Sequence, residues 1–167
     1  PIGPAYADHL SGLYSALGVL GGLVARAKTG KGQQVDATMA GAVLGFLTAP
    51  ATETLAHGRP PGPYTRPRQS QTYAFSGADG LPFAIHLSSP QKFWEGLCKS
   101  VGHPELIEDP RFNTRPNRRK NYDELNQTFA EFFREKPRAY WLEQLEGKDV
   151  PHTPVYNLGE VFQVPQI

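Results

Sequence analysis

The sequence predicts a mixed α/β protein, with long apolar helices followed by a small α+β domain. Apolar residues recur every three or four positions over residues 9–27, which is the period of one face of an α-helix. Two short runs of strand-like composition flank Asp79 and Gly80, and an Asp-Gly pair is a strong hairpin turn signal. Helical patterns resume between residues 90 and 146. These patterns predict a small domain that contains a β-hairpin and several helices.

The first helix has clear start and stop signals. Asp8 stands directly before the apolar stripe, and aspartate is among the favoured N-cap residues. At the other end, Arg26 and Lys28 suit the negative end of the helix dipole, and Gly30 can adopt the left-handed conformation that closes a helix. We therefore predict that Asp8 caps the helix. The positive end of the dipole also suits a carboxylate that must attack as an anion.

The segment between the first helix and the hairpin contains three predicted features. Residues 33–37 are predicted to form a short strand, and Thr38 is predicted to begin a second apolar helix. Pro50 predicts a kink or a break in that helix. Residues 57–68 are rich in proline, which removes backbone donors and fixes φ. This proline-rich segment is therefore predicted to be a linker or an ordered loop without a helix or an interior strand.

The small domain follows as a close succession of elements. A hairpin with strands at residues 72–75 and 83–87 comes first. Ser89 and Pro90 then start a helix that ends at Gly102 and carries on one face Phe93, Trp94, Leu97 and Val101. The remaining predicted elements are helices at about 121–135 and 137–146, an extended piece at 151–156, and a helical turn from Leu158.

Composition excludes several classes of protein. The 167 residues carry a net charge of +1 and 39% hydrophobic residues, which predicts a globular chain of one or two small domains. We find no apolar run long enough to cross a bilayer and no basic n-region, so we expect no membrane partner. The chain begins with Pro1 and not with methionine, and we interpret it as an excised segment.

Cysteine and histidine usage argues against disulfide and metal sites. The single cysteine, Cys98, excludes an internal disulfide and a cysteine-based zinc site, and it fits a reducing, cytoplasmic location. Its apolar surroundings predict a small core residue and not a reactive thiol. The histidines show no i,i+4 pair, so local sequence predicts no metal site.

Two basic segments could bind phosphate in principle. Residues 29–32 contain glycine and lysine, but position 25 is alanine where a P-loop needs its first glycine, and no hydroxyl follows Lys31. The arginines between Arg111 and Lys120 could contact the phosphate of a nucleotide or of nucleic acid. Because the whole chain is nearly neutral, we expect a solvated basic loop there and no nucleic-acid partner.

A succession of short motifs extends along almost the whole chain. They are, in order, Asp8 before a glycine- and alanine-rich helix, Arg26-x-x-Thr29-Gly30-x-Gly32-Gln33-x-Val35-Asp36, Ala78-Asp79-Gly80, Phe93-Trp94-x-x-Leu97-Cys98, Gly102-x-Pro104-Glu105-Leu106, Asp109-Pro110-Arg111-Phe112, Arg119, and Val150-Pro151-x-x-Pro154-Val155. In this order and spacing they resemble the family III CoA-transferases. Each motif alone is weak evidence, whereas the succession is a strong match.

The resemblance implies the middle portion of a larger α/β enzyme. Family members have a large CoA-binding domain, a smaller domain and long linkers, and two chains interlock as a homodimer. On this basis residues 1–56 are the helical part of the large domain, 57–71 a proline-rich linker, 72–156 the small α+β domain, and 157–167 the start of a return linker. The CoA-binding segments of the family lie mostly upstream, so we assign no CoA-binding residue and expect the chain alone to be inactive.

The resemblance also implies a catalytic role for Asp8, which matches the family's nucleophile. Its carboxylate attacks an acyl-CoA thioester to give a mixed anhydride and free CoA thiolate. The thiolate then attacks the aspartyl carbonyl, which releases the donor acid and leaves an aspartyl-CoA thioester, and an acceptor carboxylate reverses these steps. Backbone amides at the helix start are expected to stabilise the oxyanions. CoA and acyl-CoA are substrates here, and no tightly bound cofactor is implied.

Three points keep other interpretations open. Well-studied transferases carry a glycine-rich loop over the active site shortly before the hairpin, whereas residues 64–71 contain no glycine run. The family also includes α-methylacyl-CoA racemases, in which the matching aspartate works with an upstream histidine as an acid/base pair. A third alternative is a non-catalytic, stand-alone interaction module whose apolar helix 9–27 pairs with another copy.

Overall fold

The structure, a computed structural model, describes residues 4–88 and 90–166 and contains two compact units. The first unit is Pro1–Gly62 and the second is Pro63–Ile167. The first unit is helical, and the second combines helices with a small antiparallel sheet. The predicted mixed α/β class is therefore confirmed.

The helices of the first unit begin and end close to the predicted signals. Gly30 closes the first helix with φ of 70°, and its N–H donates to the Arg26 carbonyl at 2.8 Å. Thr38 caps the second helix by accepting from the Gly41 N–H. The predicted break precedes Pro50, which lies in the first turn of the third helix, where its missing N–H removes no helical hydrogen bond. These helices are α1 (Tyr6–Thr29), α2 (Met39–Phe46) and α3 (Thr48–His57).

The strand predicted at residues 33–37 does not form. The segment is irregular, and the paired strands of the described residues all lie in the second unit. A strand needs a partner to satisfy its backbone groups, and alternating composition alone does not supply one. Val35 instead packs against α1, so closely that a Cβ atom at Gly18 would lie 2.5 Å from its Cγ1 atom.

This close approach leads to a stability prediction for the helix glycines. A Gly21→Ala substitution meets nothing within 4 Å and should stabilise the chain by up to about 1 kcal/mol through helix propensity. Gly18→Ala has the same propensity gain but overpacks against Val35, at a cost of about 1–3 kcal/mol. In urea unfolding, the free energy of unfolding should therefore be higher for Gly21→Ala than for the parent, and lower for Gly18→Ala. Equal effects of the two substitutions, or no rescue of Gly18→Ala by Val35→Ala, would contradict this packing.

The apolar face of α1 is uncovered. No residue of α1 is buried, and Leu13, Leu17 and Leu20 are each more than half exposed. The prediction that no apolar run could cross a bilayer is wrong for this helix, because α1 is long and apolar enough by length and composition alone. Its five leucines and two valines give the helix a high mean hydropathy. Helices that pack against other protein segments pass the same test.

The second unit is built on the predicted hairpin. Strands β1 (Thr72–Ser76) and β2 (Pro82–His86) pair antiparallel, and β3 (His152–Pro154) pairs antiparallel with β2, so the order is β1-β2-β3. Gly80 takes a φ of 73° in the turn, and its N–H donates to the Gly77 carbonyl at 2.9 Å. The Asp-Gly signal therefore located the turn correctly, and the extended piece near residue 152 is confirmed as β3.

The helices of the second unit follow most of the predicted pattern. Ser89, predicted to start a helix, lies outside the described residues, whereas Pro90 is the N-cap of that helix. The helices predicted around residues 121–135, 137–146 and from Leu158 are confirmed. The helices are α4 (Thr65–Ser70), α5 (Gln91–Ser100), α6 (Arg115–Lys120), α7 (Tyr122–Phe133), α8 (Arg138–Glu146) and α9 (Leu158–Val161), with a 3₁₀ turn at Pro104–Ile107.

Helix α4 contradicts the prediction that the proline-rich segment holds no helix. Its third residue is Pro67. A proline in the first turn of a helix removes an N–H that has no helical acceptor in any case, so the helix tolerates it. Helix α4 is short and ends at Ser70, three residues after Pro67.

The core of the second unit lies between one face of the hairpin and the helices. Tyr73, Phe75, Phe83 and Ile85 alternate along the strands and are almost completely buried. Burying a side chain of this kind stabilises the fold by roughly 1.5–3 kcal/mol. The hairpin residues pack in one cluster with residues of α5, α7 and α8, among them Trp94, Leu97, Leu125, Phe129, Phe133, Trp141 and Leu145.

The hairpin turn also holds the start of α8. The Arg138 N–H donates to Asp79 Oδ2 at 3.0 Å, and the Ala78 N–H donates to the Lys136 carbonyl at 2.8 Å. A Cβ atom at Gly77 would lie 2.4 Å from the Arg138 nitrogen, so this approach requires glycine. Pro137, the N-cap residue of α8, makes no side-chain cap of its own. The cap of α8 therefore comes from the hairpin.

Candidate functional site

Asp8 lies in the first turn of α1, as the third residue of the helix. The N-cap residue is Ala5, and the Asp8 side chain makes no capping hydrogen bond. The prediction that Asp8 is the N-cap is therefore wrong. The helix begins earlier because the Tyr6 N–H donates to the Pro4 carbonyl at 2.9 Å and the His9 N–H donates to the Ala5 carbonyl at 3.1 Å.

The carboxylate of Asp8 is exposed and uncommitted. Within residues 4–88 and 90–166, it makes no hydrogen bond and no ion pair. The first turn of a helix presents N–H groups without helical acceptors, and the positive end of the dipole lies there. An anionic carboxylate at this position is thus favoured electrostatically.

His9, next to Asp8 in sequence, is held by the backbone. Its Nδ1 atom lies 2.8 Å from the Ala5 carbonyl oxygen, so the ring donates from Nδ1 to that oxygen. In this arrangement His9 makes no hydrogen bond to the Asp8 carboxylate. Within the described part of the first unit, no histidine makes a hydrogen bond to the Asp8 carboxylate.

A hollow of about 510 Å³ lies in the same unit, between α1 and α2. Tyr14, Leu17 and Gly18 line it from α1, and residues 35–38 line it from the following segment. Asp8 is not among the lining residues. No local motif pointed to this hollow, because its wall depends on Val35 folding back onto the glycines of α1.

Arg118 contradicts the prediction of a solvated basic loop at residues 111–120, whereas Arg119 and Lys120 are exposed, as that prediction expects. Arg118, on α6, is only 1% exposed. Its guanidinium donates to Gln71 Oε1 at 2.8 Å, to the Phe112 carbonyl at 2.8 Å and to Gln91 Oε1 at 3.2 Å. It also lies over the Trp94 ring, 5.0 Å from the centroid. Burial lowers the pKa of Arg118 from its usual value.

Two further arginines of this segment have fixed partners. Arg111 pairs with Asp109 and Glu124, and this hydrogen bonding holds the pKa of Asp109 below its usual value. Arg115 donates to the Gln69 carbonyl at 3.0 Å. Sequence reasoning missed these roles because most of the partners lie more than ten positions away in sequence.

Cys98 is a core residue, as predicted. Its side chain is completely buried, and burial raises the pKa of the thiol from 9.0 to about 12. The thiol is therefore protonated at neutral pH and is shielded from reagents. Within the described residues, no group of three His, Cys, Asp or Glu side chains lies together in a way that could hold a metal ion.

Comparison with known proteins identifies relatives along the entire length of the chain. The family model described as CoA-transferase family III matches residues 1–167. An acetyl-CoA:oxalate CoA-transferase from Acetobacter aceti is 30% identical over 170 residues, which cover 98% of this chain and 42% of that protein. The human α-methylacyl-CoA racemase is 32% identical over 164 residues, which cover 90% of this chain and 38% of that protein.

The fold is similar to that of a solved structure over the same extent. A crystal structure of a CAIB/BAIF family protein from Brucella suis superposes with a TM-score of 0.85 at 32% sequence identity. The match covers 99% of this chain and 44% of that one. The chain thus spans about two fifths of the length of the relatives it matches.

Proposed function

The chain belongs to CoA-transferase family III, and we propose that it is the middle portion of an enzyme that transfers CoA between carboxylic acids. The observation that carries this proposal is the exposed, uncommitted carboxylate of Asp8 in the first turn of α1. The similarity to a transferase that acts on acetyl-CoA and oxalate supports the reaction class.

In the proposed mechanism, Asp8 is the nucleophile. Its carboxylate attacks the thioester carbonyl of acyl-CoA, and the C–S bond breaks to give a mixed anhydride and CoA thiolate. The thiolate attacks the aspartyl carbonyl, the donor carboxylate leaves, and the acceptor carboxylate then regenerates Asp8 by the reverse sequence. Amides of the first turn of α1 are suited to stabilise the developing oxyanions, because the helix dipole acts in the same direction.

We further propose that the chain functions only with the remainder of such an enzyme and, in an interlocked homodimer, with a second copy. The uncovered leucine stripe of α1 supports this. A helix is stabilised mainly when its apolar face packs against another surface, and no residue of α1 is buried within this chain. Acyl-CoA and a carboxylic acid are the proposed substrates. The chain alone should show no turnover.

Trapping of the covalent intermediate tests the proposal. The complete enzyme is incubated with acyl-CoA and then with hydroxylamine, which attacks an aspartyl anhydride or thioester and leaves a hydroxamate on the nucleophile. We expect peptide mass spectrometry to locate the hydroxamate on Asp8, and no hydroxamate when acyl-CoA is omitted. An unmodified Asp8 in an enzyme that turns over would refute the role of Asp8 as nucleophile.

The racemase is a second candidate, which the 32% identity to the human enzyme supports. In that reaction Asp8 would exchange the α-proton of the acyl group with a histidine upstream of residue 1. The two reactions differ in one measurement. Deuterium incorporation from heavy water at the α-carbon, without CoA transfer and without a hydroxamate on Asp8, would favour the racemase. A non-catalytic module would give neither signal.

A further inference from the structure

Strand β1 leaves one edge of the sheet open. In the order β1-β2-β3, β1 is an edge strand. The Gly77 N–H donates to Leu81 and the Leu87 N–H donates to Gln71, so the odd-numbered residues of β1 form the ladder with β2. The N–H and C=O groups of Ala74 and Ser76 therefore face away from β2. Among the described residues, none makes a hydrogen bond with these four groups.

A groove runs beside this open edge. Two adjoining hollows of about 590 and 260 Å³ share Ala74 in their lining, and the second also includes Ser76. The opposite wall is α7 with its C-cap residue Arg134: Asn126 lines the first hollow, and Ala130 and Arg134 line the second. These three residues are spaced by four, so they follow one face of the helix. We call the space between them and β1 the edge groove.

The edge groove carries the positive charge of Arg134, which no acidic side chain of the described residues neutralises. Asp123, on the rim of the first hollow, accepts two hydrogen bonds from Arg68 Nη2 at 2.7 and 2.6 Å. Arg134 is exposed, and its side chain makes no hydrogen bond or ion pair with the residues that the structure describes. An occupant of the groove that carries an acidic group near Arg134 would gain a favourable contact.

We propose that the edge groove binds an extended peptide of a partner protein, which adds a fourth strand beside β1 and places an acidic side chain at Arg134. The outward donors and acceptors of Ala74 and Ser76 alternate at the spacing that a second strand matches, and peptide recognition by strand addition uses such an edge. Thr72 marks one end of the site, because its carbonyl already accepts from the Tyr122 hydroxyl at 2.5 Å. The edge groove belongs to the second unit, whereas Asp8 belongs to the first.

The test uses a fluorescein-labelled, acetylated pentapeptide of sequence Asp-Val-Thr-Val-Asp, which presents an acid in either strand direction. Fluorescence anisotropy with the 167-residue chain should show saturable binding. The same peptide with both valine amides methylated should bind about tenfold more weakly or not at all, because it lacks main-chain donors. Equal binding of the two peptides, or no binding of either, overturns the proposal.

Two variants of the chain test the contacts. Ala74→Pro removes an outward N–H, which an edge strand tolerates, and should weaken binding about tenfold with the thermal unfolding curve preserved. Arg134→Gln should weaken binding about threefold, whereas Arg119→Gln, an exposed arginine on α6, should not. Equal effects of the two arginine substitutions overturn the proposal. The proposal is also overturned if the chain sediments as a dimer and the Ala74→Pro variant sediments as a monomer, because a second copy of the chain would then occupy the edge of β1.

Discussion

Replacing Asp8 with asparagine in the complete enzyme should abolish CoA transfer and leave the fold intact. An amide cannot form the mixed anhydride, so we expect kcat to fall by about 10⁴-fold or more, as for other covalent nucleophiles. The fold should persist because the Asp8 side chain is exposed and makes no capping hydrogen bond. Steady-state transfer assays and thermal unfolding of the same preparation measure both quantities.

Asp36 provides the matched control for this experiment. It is an exposed aspartate of the same unit, and its Oδ1 atom accepts from Gln34 Nε2 at 2.7 Å. Asp36→Asn removes one carboxylate from the same unit without touching the proposed nucleophile, so its kcat should stay close to that of the parent. Substantial residual transfer by the Asp8→Asn enzyme would mean that Asp8 is not the nucleophile.

Replacing Arg118 with leucine should destabilise the second unit by about 3 kcal/mol. Two oxygens, on Gln71 and Phe112, would lose their donor inside the core, whereas the Gln91 oxygen belongs to an exposed residue and can bind water instead. A buried acceptor without a partner costs roughly 1 kcal/mol or more. Leucine also gives up the stacking of the guanidinium on the Trp94 ring. Urea denaturation followed by tryptophan fluorescence measures the change, since Trp94 lies in this core.

Arg119 is the control on the same helix. It is exposed, so Arg119→Leu should change the free energy of unfolding by no more than about 0.5 kcal/mol. If Arg118→Leu proved as stable as Arg119→Leu, the buried hydrogen bonds would contribute nothing net. In that case the desolvation cost of the guanidinium would equal their sum.

The elements predicted correctly are those with a strong local signal. The hairpin follows from Asp79-Gly80 between two strand-like runs, because that pair favours the positive φ that the turn requires. Helices α5, α7 and α8 follow from the spacing of large apolar residues that all reach one core. For these elements local preference and tertiary packing favour the same structure.

Two of the errors arise because distant residues decide the structure. The burial of Arg118 depends on Gln71 and Gln91, which lie 47 and 27 positions away. Residues 33–37 have strand composition, but pairing requires a second segment. The third error is local: the predicted N-cap of α1, Asp8, lies three residues after the observed N-cap, Ala5, because the Tyr6 N–H donates to Pro4 and the His9 N–H donates to Ala5.

The candidate site could be predicted only from the order of motifs. Residue chemistry alone favours a capping role for Asp8, which the structure does not show. The proposal that Asp8 is a nucleophile rests on family membership and on the free carboxylate in the first turn of α1. The edge groove had no signal in the sequence, since an open strand edge is defined by the final strand order.

The capping of α8 by the hairpin turn sets an order of folding events. Asp79 precedes Arg138 by 59 residues, so α8 lacks its N-terminal hydrogen bond until the chain has closed that long loop. A nine-residue helix without a cap is unstable in isolation. Helix α8 should therefore become ordered after the hairpin. A chain whose synthesis has not yet reached residue 138 would form the hairpin turn before it contains the helix that this turn caps.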